Sequence, residues 1–257
     1  MKLLKLIKEI ETKIGKEGKE KRDGLFYIGS EEVRKIGFAV DPSLTAIKKA
    51  AKENIDLLVT HHHIHPSETK DIIKPDVLMN KKLEILAKNN ISLASFHLML
   101  DFSKIGNFES MAKELGFKFK EKIFEYETES GEKIKVLPFV ILEKPLDIKD
   151  FTNKLESKGF HPKVHIFNNR PIKRIVIDTG AGGFPELLDG IYPHKPDLYI
   201  TGEAKHQNFR DARDLDINII FLGHYNSEKI GLTNLRRELE SKYPELEYRF
   251  IEDENPY

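Results

Sequence analysis

The chain has 257 residues, enough for one large domain or two of ordinary size. Lysine plus arginine equals aspartate plus glutamate at 42 each, so a formal charge of zero gives no bulk electrostatic case for nucleic acid or an anionic membrane surface, though a local basic patch stays open. Cysteine is absent, which excludes disulfides, thiolate–zinc sites and a cysteine nucleophile, and leaves any metal to nitrogen and oxygen ligands.

The first ten residues, Met1-Lys-Leu-Leu-Lys-Leu-Ile-Lys-Glu-Ile, carry a charge every three or four positions and predict an amphipathic helix over about 2–15, not a secretory leader. No run of about 18 apolar residues occurs, so no helical membrane span is expected. A cytoplasmic location is expected, and the lack of cysteine suits it. One third of the residues are charged and tryptophan is missing, a composition shared by proteins of hot environments and by those of AT-rich mesophiles.

Beyond the first helix, Val33–Asp41 is strand-like and Pro42-Ser43 starts a helix over Leu44–Glu53. Asp56–Thr60 is a short apolar strand, Asp76–Asn89 is helical with Leu78, Leu83, Leu86 and Ala87 as core candidates, Ile91–Phe96 is a strand, and Phe108–Leu115 is a short helix. Phe117–Thr128 and Lys133–Leu142 alternate as strands joined through Ser130-Gly131, a hairpin signal. A helix over Ile148–Lys158, a strand over Lys163–Phe167 and a turn at 168–171 follow. The rest reads as strand Arg174–Asp178, glycine turn Gly180–Gly183, helix to Leu188, strand Asp197–Thr201, helix Ala204–Leu215, strand Ile217–Leu222, helix Ser227–Ser241 and strand Glu247–Ile251.

Strands separated by helical patterns predict βαβ units and largely parallel sheets. Asp56-Leu-Leu-Val-Thr60 resembles Asp197-Leu-Tyr-Ile-Thr201, and each is followed by a helix, a second strand and a histidine with a carboxylate four residues on. The expected fold is therefore α/β, with two related lobes of mixed sheet flanked by helices, divided near 125/126 and holding a metal site in the cleft between them. Common α/β vocabulary in both halves is the competing explanation of the likeness.

The chemistry gathers at strand ends. Thr60 runs into His61-His62-His63 and then His65, and neighbouring histidines point in different directions, so two of them can meet different metals. His97-Leu-Met-Leu-Asp101 and His224-Tyr-Asn-Ser-Glu228 each pair an imidazole with a carboxylate; one such pair alone is commonly a helical side-chain contact. Together they suit two borderline divalent metals bridged by carboxylates, with Asp101 and Glu228 as candidates for the bridge. His161, His165 and His194 read as structural. The turn Asp178-Thr-Gly180-Ala-Gly182-Gly183 allows close backbone approach and a phosphate at the following helix, or is a plain tight connection.

His61-His62, His97-Leu-Met-Leu-Asp101, Thr201-Gly202-Glu203-x2-His206 and Gly223-His224-x3-Glu228 resemble, in order and over nearly the whole chain, the motifs of the GTP cyclohydrolase 1 type 2 homologues, the Nif-three-like family. The resemblance implies a two-lobed α/β fold, a dinuclear centre of Zn, Fe, Mn, Ni or Co, and a ring-shaped homohexamer. By motif position the metal ligands are His61, His62, Asp101, His224 and Glu228, with His97 beside them as a further ligand or proton carrier. Glu203 is placed to hold a base or position water, and His206, Lys205 and Gly182 to meet substrate. Two positions depart from the family pattern: His63 stands where Pro or Gly is usual, and Lys205-His206-Gln207 supplies one histidine where paired histidines are common.

The implied function is a dinuclear metal-dependent hydrolase that opens the imidazole ring of GTP or hydrolyses a related phosphorylated small molecule. The alternative is a non-enzymatic metal-binding hexamer with a regulatory or interaction role, extending to nucleic acid only through a basic lining that the overall charge does not indicate.

Overall fold

The computed structural model describes residues 1–21, 23–64, 77–182 and 187–253. Its elements are, in chain order, α1 (Leu3–Ile14), β1 (Gly24–Tyr27), β2 (Lys35–Ala39), α2 (Leu44–Lys52), β3 (Leu57–Thr60), α3 (Val77–Lys88), β4 (Ser92–Ser95), α4 (Leu98–Phe102), α5 (Asn107–Glu114), β5 (Glu121–Glu127) and β6 (Lys133–Leu146). Then come α6 (Ile148–Glu156), β7 (Lys163–His165), β8 (Ile172–Ile177), α7 (Leu187–Ile191), a 3₁₀ turn at Tyr192–His194, β9 (Leu198–Thr201), α8 (His206–Asp214), β10 (Asn218–Phe221), α9 (His224–Lys242) and β11 (Glu247–Phe250).

The chain divides into two compact units, Met1–Gly106 with Gly231–Pro256, and Asn107–Ile230. The physical cause is β11, which pairs in parallel with β2 and so returns the C-terminal segment to the first sheet.

The first unit is built on a five-stranded sheet in the order β1-β4-β3-β2-β11. Its strands run parallel except β1, which is antiparallel to β4. All four residues of β3 and of β4 are buried, as expected where a parallel sheet is covered on both faces. Ala46, Ile47 and Ala50 of α2 and Met79 and Leu86 of α3 share a core with Leu58, Leu93 and Ile251. Ser43 starts α2 as read from sequence, its hydroxyl accepting from the Ala46 N–H at 2.9 Å. Helix α1 buries Leu3, Leu6, Ile7, Ile10 and Ile14, one face at helical spacing.

The second unit has a six-stranded mixed sheet in the order β5-β6-β8-β9-β10-β7. The central strands β8, β9 and β10 are parallel, while β5, β6 and β7 join antiparallel. The hairpin forms where expected: Gly131 has a φ of 81° and donates its N–H to the Thr128 carbonyl. Phe151 and Leu155 of α6 and Met111 of α5 pack with Ile175, Leu198, Ile200 and Ile220 of the sheet.

The likeness between the halves extends to hydrogen bonds. Asp56 Oδ2 accepts from the N–H groups of Arg34 and Lys35, and Asp197 Oδ2 accepts from those of Lys173 and Arg174. The Thr60 hydroxyl donates to the His62 carbonyl and the Thr201 hydroxyl to the Glu203 carbonyl. The Phe96 N–H bonds Thr60 O, and the Leu222 N–H bonds Thr201 O. The two His-x3-carboxylate motifs do not occupy equivalent positions in this scheme, because His97 follows Phe96 directly whereas His224 is two residues past Leu222.

Besides the 3₁₀ turn at Tyr192–His194, two elements were not expected from sequence. Strand β1 is a four-residue edge strand, too short to show a period. Helix α4 is a single turn in which all five residues are buried, so it has no polar face to betray a helix.

Candidate metal centre

In the first unit, two parallel strands end side by side and deliver the histidines. The His61 and His62 N–H groups both donate to the Val40 carbonyl, at 3.1 and 3.0 Å, which turns the chain at the end of β3. The Thr60 hydroxyl secures the same turn, 2.9 Å from the Ser95 hydroxyl at the end of β4. His97 follows β4, and α4 brings Asp101 back toward it, the Asp101 N–H donating to the His97 carbonyl at 3.1 Å.

Each of the three imidazoles is held through the same nitrogen. His61 Nδ1 lies 3.1 Å from the Phe96 carbonyl oxygen, His62 Nδ1 2.8 Å from Asp41 Oδ1, and His97 Nδ1 2.8 Å from Glu20 Oε2. Because every partner is an acceptor, Nδ1 carries the proton, and in the neutral ring Nε2 carries the lone pair. That is the arrangement in which histidine ligates a metal while its other nitrogen is oriented by a carboxylate or carbonyl. The ring centroids lie 4.9, 5.0 and 5.6 Å apart, and one donor atom from each ring falls within 4.8 Å of the others. Asp101 Oδ1 is 3.6 Å from His61 Nε2, and both side chains are buried.

His63 faces another way. Its Nε2 is 3.3 Å from Asp23 Oδ1. Asp23 is a buried bracket that also accepts from the His97 N–H through Oδ1 and from the Glu20 N–H through Oδ2, each at 2.8 Å.

In the second unit, His224 opens α9 and is gripped at both nitrogens. Its Nδ1 is 3.1 Å from Glu203 Oε1 and its Nε2 is 3.0 Å from Glu228 Oε2, one helical turn on. Three strand ends are tied together here. The Ser227 hydroxyl donates to the His224 carbonyl and accepts from the Gly180 N–H, while the Glu203 N–H donates to the Gly180 carbonyl.

Beside this group the Tyr199 hydroxyl donates to Asp178 Oδ2 at 2.6 Å and lies 3.0 Å from the Gly182 carbonyl. Burial, together with the Asp178 charge, pushes the Tyr199 phenol well above its ordinary range. A Cβ on Gly182 would stand 1.9 Å from Thr201 Oγ1, so this glycine packs inward against β9.

The structure thus gathers His61, His62, His97 and Asp101 in one unit, and Glu203, His224 and Glu228 in the other. Lys205 and His206 are exposed at the start of α8, where the Asn208 side chain accepts from the Lys205 N–H. His161 and His165 are exposed, His165 lying edge-on to Phe209 and Phe221, and His194 packs on Phe139. His65 and Gly183 fall outside the described residues.

Sequence reasoning passed over Glu20, Asp23, Asp41 and Ser227. Asp41 carried a usable signal, since it ends the strand before β3 as the ligands end theirs. Glu20 sits in a lysine- and glutamate-rich stretch where one carboxylate looks like any other.

Imidazoles fixed through Nδ1, with carboxylates at the C-terminal ends of parallel strands, define a candidate metalloprotein built from two related α/β units. The chain belongs to the Duf34/NIF3 (NGG1p interacting factor 3) family, whose model matches residues 1–256. It is 35% identical over 225 residues to a Pyrococcus horikoshii protein, covering 86% of each chain. It is 31% identical over 224 residues to one from Archaeoglobus fulgidus, covering 86% of this chain and 84% of that one. Both relatives carry the name GTP cyclohydrolase 1 type 2 homolog. Among solved structures, reduced HcgD from Methanocaldococcus jannaschii superposes with a TM-score of 0.81 at 25% identity over 98% of both chains. The protein ybgI, described as of unknown function, superposes with a TM-score of 0.86 at 24% identity over the whole of both chains, a likeness of fold. Among the described residues no helix is long and apolar enough to cross a membrane.

Proposed function

We propose that the chain is a metal-dependent hydrolase that uses a dinuclear metal centre. Its proposed substrate is GTP, opened at the guanine imidazole ring, or a related phosphorylated small molecule. The observation that carries the reading is the shared orientation of three histidines. His61, His62 and His97 each present Nδ1 to an oxygen acceptor, which turns Nε2 toward a ligand role, while His224 lies between the carboxylates of Glu203 and Glu228. The donor set is all imidazole and carboxylate, which fits borderline divalent ions and does not select one of them.

His61, His62, His97, Asp101, His224 and Glu228 would hold the metal ions. Two such ions, when bound, supply an activated water at neutral pH and charge stabilisation for a developing oxyanion. Asp41, Glu20 and Glu203 each keep one ligand histidine in a single tautomer and orientation. Glu203 is in this reading a positioning residue for His224, not a base. Gly180 and Ser227 hold the His224 turn against the Glu228 carboxylate. Lys205 and His206 offer exposed positive and hydrogen-bonding groups suited to a phosphate chain. The guanine nucleotide itself is supported by the name of the relatives.

The test is to purify the protein without chelator and measure metal per chain. GTP and other phosphate compounds are then assayed with Mn, Fe, Zn or Ni added. The expected result is about two metals per chain and metal-dependent turnover. Full metal loading without turnover on any compound would overturn the hydrolase and favour a non-enzymatic binding role. Glu228→Ala should lose at least one metal, and unchanged metal content would remove Glu228 from the ligand set.

A further inference from the structure

The first unit contains a second metal-capable group that the dinuclear reading leaves out. Glu20, His63 and His97 each offer a donor atom within 4.8 Å of the other two. Glu20 lies between α1 and β1, and His63 lies past the turn that ends β3. Neither belongs to the ligand set assigned above, and position 63 is where this sequence departs from its family's usual pattern.

One ligand pair has a spacing close to that of a chelate, His97 Nδ1 lying 2.8 Å from Glu20 Oε2, and His63 Nε2 is backed by Asp23 Oδ1 at 3.3 Å. Two ligands each about 2.0–2.1 Å from one ion stand roughly 2.9–3.4 Å apart at octahedral to tetrahedral angles. The two rings meet edge to face with centroids 5.5 Å apart. The group is partly sheltered, with side-chain exposures of 8% for His63, 14% for Glu20 and 28% for His97.

Holding His97 in place does not require His63. Glu20 on Nδ1 and Asp23 on the backbone N–H already fix that residue. His63 adds an imidazole beyond this need, backed by a buried carboxylate of its own, as a ligand histidine would be.

We propose that Glu20, His63 and His97, with Asp23 behind His63, form an auxiliary site for one borderline divalent cation such as Zn²⁺, Co²⁺, Ni²⁺ or Fe²⁺. Two imidazoles favour these ions over Mg²⁺ and Ca²⁺, which prefer oxygen ligands alone. Binding at His97 Nδ1 releases its proton to solvent, because only a deprotonated nitrogen ligates. His97 then contributes Nδ1 to the auxiliary ion and Nε2 to the His61–His62 group. Occupancy of the two sites is therefore coupled through one ring.

The test titrates the metal-free full chain with Zn²⁺ by equilibrium dialysis and with Co²⁺ by its visible absorption. Wild type, Glu20→Gln, His63→Gln and Glu228→Ala are compared, with circular dichroism to establish that each is folded. Glutamine at 20 keeps an oxygen for the His97 N–H, so the ring stays in place. The expected result is that both glutamine variants lose one equivalent, or weaken it by about tenfold or more, while Glu228→Ala keeps that equivalent and loses a different one. Equal stoichiometry and affinity in wild type and both glutamine variants would overturn the site. If one glutamine variant fails to fold, the other decides. Loss in Glu228→Ala alone counts against the auxiliary site and leaves the dinuclear reading standing. Loss in the glutamine variants alone does the reverse.

Discussion

Gly180 and Glu228 are fitted to one another. Gly180 has a φ of +61°, and a Cβ placed on it would stand 1.9 Å from Glu228 Oε1. Gly180→Ala should therefore act twice. The left-handed backbone disfavours a side chain by about 1–2 kcal/mol, and the methyl group displaces the carboxylate from the place it holds beside His224. Lower stability in urea and reduced metal content are expected together. A variant with wild-type values for both would show that Glu228 is not held by this contact.

The interaction of Asp41 with His62 gives a cleaner separation of ligand orientation from folding. The Asp41 side chain is substantially exposed, so its removal should hardly disturb the fold. Asp41→Ala should weaken metal binding by about 10- to 100-fold. Asp41→Asn, which can still accept from Nδ1–H, should retain most of the affinity. Competition against a chromophoric chelator measures both, and equal affinity in the alanine variant would dismiss the orienting role.

Tyr199 predicts an alkaline limit to stability. Its folded-state pKa is raised, first by burial and then by Asp178, while in the unfolded chain it titrates near the ordinary value of 10.0. The folded state thus holds a proton that the unfolded state gives up. This contribution is complete below pH 10.0 and falls as pH rises beyond it toward the folded pKa. Tyr199→Phe should be less stable at neutral pH by about 1–3 kcal/mol, since Asp178 loses a buried donor, and should show a shallower decline above pH 10. Parallel declines for both proteins would remove Tyr199 as the cause.

Phe151 is fully buried and stacks on Phe117 with centroids 5.7 Å apart. Phe151→Ala should destabilise the second unit by about 3–5 kcal/mol, the range for deleting a large core side chain. Chemical denaturation checks it, and a loss under about 1 kcal/mol would mean that the surrounding core collapses into the space.

Much of this architecture was legible because it rests on local signals. The apolar stripe of α1, the Ser43 cap, the Gly131 turn and the all-apolar β3 follow from periodicity and turn chemistry within a few residues. The candidate metal ligands were legible for a related reason. A histidine directly after a short apolar strand has few structural explanations, and several in order along one chain have fewer.

Tertiary structure decided what depends on partners distant in sequence. The return of β11 to β2 joins residues about 200 positions apart, and no local pattern encodes it. The acceptors of the ligand histidines also come from afar: Glu20 lies 77 residues before His97, and Asp41 21 before His62. Helix α4 lacks a polar face and gave no period to read. Composition and local pattern already set the chemistry available, imidazole and carboxylate without thiolate, and the strand ends that carry it. Only the folded chain decided which nitrogen of the His61, His62 and His97 rings is held by a neighbour, because that choice depends on the direction of hydrogen bonds across loops that meet only after folding.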